Sequence, residues 1–82
     1  MDDRRVEFEI VEHLAVFRVT NGWTKELNLV SWNGHPAKYD IREWSRDYTM
    51  MSRGVTLTDA EMDALVNAVT AHRENNNEAV AG

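Results

Sequence analysis

The hydrophobic period of this chain changes once, at Thr58. Before it, apolar residues alternate with polar ones, the period of a strand. After it they recur every three to four residues, the period of a helix. The boundary carries its own signature in "TDAE" (58–61). Thr58 stands as N-cap and Glu61 as N3 of a capping box, and Leu57 and Met62 fall at the N′ and N4 positions of a hydrophobic staple. Asp59, Glu61 and Asp63 load the first turns with negative charge, and His72 and Arg73 lie near the other end, both favourable to the helix dipole. Met62, Leu65, Val66 and Val69 sit at i, i+3, i+4 and i+7 and read as a core stripe. Asn75-Asn76-Asn77 reads as the stop. Residues 1–74 therefore form a single domain, with residues 75–82 expected to be a disordered tail.

A chain with one helix must build the rest of its core from strands. "VEFEI" (6–10) alternates apolar residues with glutamate, and "HLAVFRVT" (13–20) continues that strand or follows a kink near Glu12. Asn21-Gly22 signals a turn before "KELNLVSW" (25–32). Asn33-Gly34-His35-Pro36 is the next turn; Pro36 has no N–H for a ladder, so the following strand is Ala37 onward to Trp44. Residues 45–54 are a polar loop without period, and "GVTLT" (54–58) is a short last strand. The order is α+β: an antiparallel sheet of about four strands followed by one C-terminal α-helix.

One helix covers only one face of a sheet. Tyr39 and Ile41 are expected beneath it, and with them Leu27 and Leu29 of the preceding strand. Asn28, Val30, Trp32, Lys38, Asp40, Arg42 and Trp44 then face outward. That agreement needs an odd number of residues in the hairpin loop, which Asn33-Gly34-His35 supplies. Trp32 and Trp44 thus flank Lys38 and Arg42 on an uncovered face. Indole stacks on any nucleobase, and lysine and arginine track phosphates. Duplexes hide their base faces, so such a surface points to single strands. A cation–π patch or a dimer contact would use the same residues.

The net charge of −5 is unevenly spread. Residues 1–12 carry five acids and two bases, residues 58–82 five acids and one base, and residues 13–57 four acids and six bases. All three tryptophans and both tyrosines lie in that basic centre. Local field rather than net charge sets what a surface attracts. There is no cysteine, hence no disulfide framework or thiolate metal site, and His13, His35 and His72 are not spaced as ligands. No Ser/His/Asp or Cys/His set is visible, so an enzyme and a cofactor are not expected. No apolar run approaches a membrane span and the N-terminus has no signal-peptide pattern, which reads as a cytoplasmic protein. A small core without staples favours a homodimer.

"DIREW" (40–44), a polar loop, and then "RGVTLTDAEMDAL" (53–65) resemble the positive cofactor 4 family of transcriptional coactivators, and most of all its small bacterial YdbC-like members. Their pattern "GWTKE…VS-aromatic-NG-PAK-aromatic-DIR-W" is followed from Gly22 onward, and the resemblance covers roughly residues 6 to 72. It implies a curved antiparallel sheet with one helix, a homodimer, single-stranded DNA binding without strong sequence preference, and no catalytic residues. It also implies nucleic-acid contacts at Trp32, before the Gly turn; at Arg42 and Trp44 of the "DIRE-aromatic" strand; at Arg53, before the glycine that opens the last strand; and at Lys25 and Lys38 of "TKE" and "PAK". The loop "TMMSRG" has fewer bases than the family version and the N-terminus is acidic. Those departures imply weaker binding, or regulation by a protein partner through the acidic termini. Two function classes follow: a single-stranded nucleic-acid module, for DNA or RNA, and a protein-interaction module of the same fold.

Overall fold

The protein is seen in a computed structural model that describes residues 6–81, with side chains as far as Asn76. The acidic and basic residues at 2–5 and Gly82 lie outside the described residues. Four strands, β1 (Phe8–Thr20), β2 (Trp23–Trp32), β3 (Lys38–Trp44) and β4 (Val55–Leu57), precede one helix, α1 (Asp59–Ala81). The sheet is antiparallel throughout, in the order β1-β2-β3-β4. This is the expected α+β architecture.

Two tight turns set the registers. Asn21 and Gly22 have φ of 52° and 82°, and Thr20 pairs directly with Trp23. Both central residues are left-handed, so the strands leave the turn with the natural sheet twist. Asn33 and Gly34 repeat the conformation, with φ of 51° and 78°, and the His35 N–H closes the turn on the Trp32 carbonyl at 2.9 Å. The parity argument holds: Leu27 opposes Ile41 and Leu29 opposes Tyr39, while Glu26 opposes Arg42 and Val30 opposes Lys38.

Residues 8–20 do not break at Glu12. They form one long strand whose register against β2 shifts three times, between Ile10 and Glu12, His13 and Ala15, and Val16 and Arg18. Val11, Leu14 and Phe17 are the extra residues. A bulge every third position explains why the stretch reads as a nearly continuous apolar run rather than an alternation. Each bulge bends the strand and adds twist, and the sheet curves.

Curvature relocates the core. The face expected to be outward is concave and holds the most deeply buried side chains: Glu26, Asn28, Val30, Asp40 and Trp44. The loop after β3 folds back over it, through the Ser52 N–H to the Glu43 carbonyl at 2.9 Å and a bridge between Trp44 and Met51. Leu27, Leu29, Tyr39 and Ile41, expected beneath the helix, are only half-buried.

The helix starts as expected. The Thr58 N–H donates to Glu61 Oε1 at 2.8 Å, and the Glu61 N–H donates to Thr58 Oγ1 at 3.1 Å. It does not stop at Asn75 but runs to Ala81. Asparagine is a poor helix former, not a breaker, and Asn76 Nδ2 lies 2.8 Å from His72 Nε2 one turn back. The apolar stripe is not core within one chain. Met62 is buried, but Leu65, Val66 and Val69 are 42%, 52% and 39% exposed, because α1 packs only on β3 and β4 and then leaves the sheet.

Candidate nucleic-acid interface

Trp32, Lys38 and Arg42 meet at one cleft. It is about 610 Å³ in volume and open, and is lined also by His35, Pro36, Met51 and Thr56. β2 ends at Trp32, the Asn33-Gly34 turn reverses the chain, and Lys38 and Arg42 follow on the same face of β3. The two ends of a hairpin thus supply an aromatic ring and two cations. Lys38 is exposed and Trp32 half-buried.

Arg42 differs from the expectation of a free cation. Its Nε donates to Asp40 Oδ1 at 2.7 Å and its Nη2 to Asp40 Oδ2 at 2.8 Å. Asp40 is fully buried and the Arg42 side chain only 13% exposed. Nη1 also points to Met51 Sδ and the Ser52 carbonyl, each at 3.4 Å. The guanidinium carbon lies 4.5 Å from the centroid of the Trp32 ring, within cation–π range. Its charge is thereby cancelled locally, and its plane is fixed against the indole. Gly54 makes this closure possible: a side chain there would collide with Arg42 Cβ and the Ile41 carbonyl. Arg53 precedes that glycine and is exposed.

Trp44 is on the expected face but is not open to a ligand, having no exposed surface. Phe8 packs on it at 5.0 Å between ring centroids, Tyr48 at 5.7 Å, and Trp32 lies nearly parallel to it at 6.5 Å. It is the centre of the aromatic cluster, a core residue where a contact residue was expected. Lys25 is not with the others. It lies on the opposite face between Arg18 and Glu43, which pair with each other. Among the described residues, the buried indole N–H groups of Trp32 and Trp44 and the buried Asn28 Oδ1 find no hydrogen-bond partner.

A second polar group lies deeper on the concave face. Glu26, only 2% exposed, accepts from Tyr48 Oη at 2.6 Å and from Asn28 Nδ2 at 3.0 Å, and His13 Nδ1 is 3.5 Å away. The hydrogen bond to that carboxylate, with burial and its negative charge, pushes the Tyr48 hydroxyl up to about 12. Tyr48 is held by a compact loop. Asp47 Oδ1 accepts from Ser45 Oγ and from the N–H and Oγ1 of Thr49. These bonds, Thr49's first, hold its carboxyl below the usual aspartate range. The sequence singles out neither Glu26 nor Tyr48, and marks Asp40 only as an outward-facing residue. Asp40 two residues before Arg42 on one strand face was the only signal available, since the loop has no period.

Among the described residues no helix is long and apolar enough to cross a membrane, and no group of acids and histidines is arranged to hold a metal ion. The family model described as Transcriptional Coactivator p15 (PC4) matches residues 19–68. An uncharacterized protein of Treponema pallidum (strain Nichols) is 62% identical to this chain over 45 residues, which are 55% of this chain and 53% of that protein. The chain spans about half the length of that relative.

Proposed function

This chain belongs to the transcriptional coactivator p15 (PC4) family, and from that premise we propose that it binds single-stranded DNA with little sequence preference, in transcription regulation or DNA maintenance in the cytoplasm. The observation that carries this reading is Trp32, half-buried in the wall of an open cleft beside the exposed Lys38, with the Arg42 guanidinium fixed against its ring. In this reading a base stacks on Trp32, while Lys38 and Arg53 hold phosphates. Arg42 orients the indole more than it meets phosphate, because Asp40 already takes two of its donors and balances its charge. Trp44 supports the platform from beneath. Lys25 serves only a strand that wraps to the far face.

The exposed helix stripe of Leu65, Val66 and Val69 supports a homodimer. It also favours a second reading, a protein-interaction module, since Val11, Phe17 and Val19 of β1 are themselves more than half exposed, above Leu65 and Val69. RNA offers the same stacking surface and stands as an arm of the test.

The test is fluorescence anisotropy with labelled oligothymidine, an RNA of equal length and a duplex, across a salt series. Single strands should bind more tightly than duplex, with affinity falling steeply as salt rises. Trp32→Ala should cost about 1–3 kcal/mol of binding, measured on folded protein and read beside its melting temperature, because the ring also packs on Phe8 and Trp44. Equal binding of duplex, or a folded Trp32→Ala variant that binds like the parent, sinks the reading.

A further inference from the structure

We propose that the concave face carries a second nucleobase subsite, formed by Tyr48 and His13 above Glu26. The proposal rests on the single-strand reading and extends it from one base to two. A separate cavity of about 400 Å³ lies there, lined by His13, Leu14, Ala15, Val16, Glu26 and Tyr48. It is joined to the Trp32 cleft by a continuous row of rings. Trp32 lies 6.5 Å from Trp44, Trp44 5.7 Å from Tyr48, and Tyr48 5.7 Å from His13, edge to face. Trp44 in the middle is buried, while both ends of the row line open cavities. A strand laid along the row meets an accessible ring at each end.

The backbone singles out Tyr48. Its φ is 60°, a left-handed conformation that a bulky side chain takes only when its surroundings impose it. The other left-handed positions among the described residues are Asn21, Gly22, Asn33 and Gly34, residues that suit such turns. A loop that had only to close would use one of these at 48. Here the strained residue is an aromatic, fixed by its N–H to the Ser45 carbonyl at 2.9 Å and by its hydroxyl to Glu26. Strain of this kind concentrates where a side chain must be presented in one orientation.

Charge decides what enters. Glu26 is a buried acceptor in the cavity wall, so a phosphate is repelled and a base is not. A carboxylate has lone pairs beyond the two used by Asn28 and Tyr48, and amino and imino N–H groups of bases are the donors that fit them. His13, with its side chain 60% exposed, offers a second ring at the mouth.

The experiment uses the full chain and an oligothymidine about twelve nucleotides long carrying 5-iodouracil, photo-cross-linked and mapped by mass spectrometry, alongside anisotropy on variants. Adducts are expected on the Trp32 peptide and on a peptide bearing His13 or Tyr48. Tyr48→Ala and His13→Ala should lose the second adduct and weaken binding by about five- to 150-fold. Tyr48→Phe keeps the ring and should bind within about two-fold of the parent, whereas a purely structural role through the Glu26 bond would weaken it like Tyr48→Ala. If Tyr48→Ala fails to fold, His13→Ala, altered at an exposed side chain, carries the test. Adducts at Trp32 alone, with His13→Ala binding as the parent does, overturn the second subsite. Absence of any adduct and of any binding by the parent overturns the single-strand reading itself.

Discussion

From the sequence alone, Arg42 shares its strand face with Lys38 and Asp40, and its removal is expected to leave no cavity. The fold makes it a buried ion pair instead. Asp40 has no exposed surface and takes both of its hydrogen bonds from Arg42. Arg42→Ala would strand that carboxylate, and breaking a buried pair by removing one partner costs about 3–5 kcal/mol. Urea denaturation should show that loss, so weaker DNA binding by this variant must be read against its stability. A midpoint equal to the parent's would mean Asp40 finds water on its own. Tyr48 gives a second expectation at this scale. A tyrosine in an unfolded chain ionises near 10, and in the fold its hydroxyl is raised to about 12 by Glu26. A raised value means the bond's contribution is complete below about pH 10 and is lost as pH rises through 12. The parent should therefore lose stability between those values faster than Tyr48→Phe. Parallel curves for the two proteins would remove the bond from the account.

At the scale of elements, the loop between β3 and β4 decides the site. Its sequence has no period, yet it closes the concave face, presents Tyr48 and brings Gly54 against Arg42. Gly54→Ala would push its methyl into the Arg42 Cβ and the Ile41 carbonyl. Overpacking of this sort costs about 1–3 kcal/mol, and here it also displaces the guanidinium from Trp32. Thermal unfolding should register the first effect and oligothymidine titration the second. A variant with the parent's melting temperature would show that the backbone moves aside freely. β1 acts in the same way on the other flank: its three bulges bend the sheet and carry Phe8 onto Trp44.

For the whole molecule, the unresolved energetic problem is exposed apolar surface. Leu65, Val66 and Val69 make a stripe on a helix that touches only β3 and β4. A second copy of the chain is the proposed cover. Val66→Glu should then halve the mass seen in sedimentation at tens of micromolar, while the capping box keeps the helix itself formed. An unchanged mass for this variant, or a parent that sediments as a monomer, would move the stripe to another role.

Much of this was legible in the residues alone. The capping box, the two Asn-Gly turns, the strand order and the sharing of one face by Trp32, Lys38, Arg42 and Trp44 follow from local rules, because turns, caps and side-chain periods depend on neighbours in sequence. The family resemblance covers roughly residues 6 to 72, a span that contains the matched residues 19–68. Which face is the inside did not follow. Periodicity says which residues point together, not which way the sheet bends. Three bulges and a folded-back loop decided that Trp44 is core while Trp32 stays at the surface, and that Arg42 belongs to Asp40 before it belongs to any ligand. Those outcomes depend on contacts between residues distant in the chain, and only the tertiary structure brings them together.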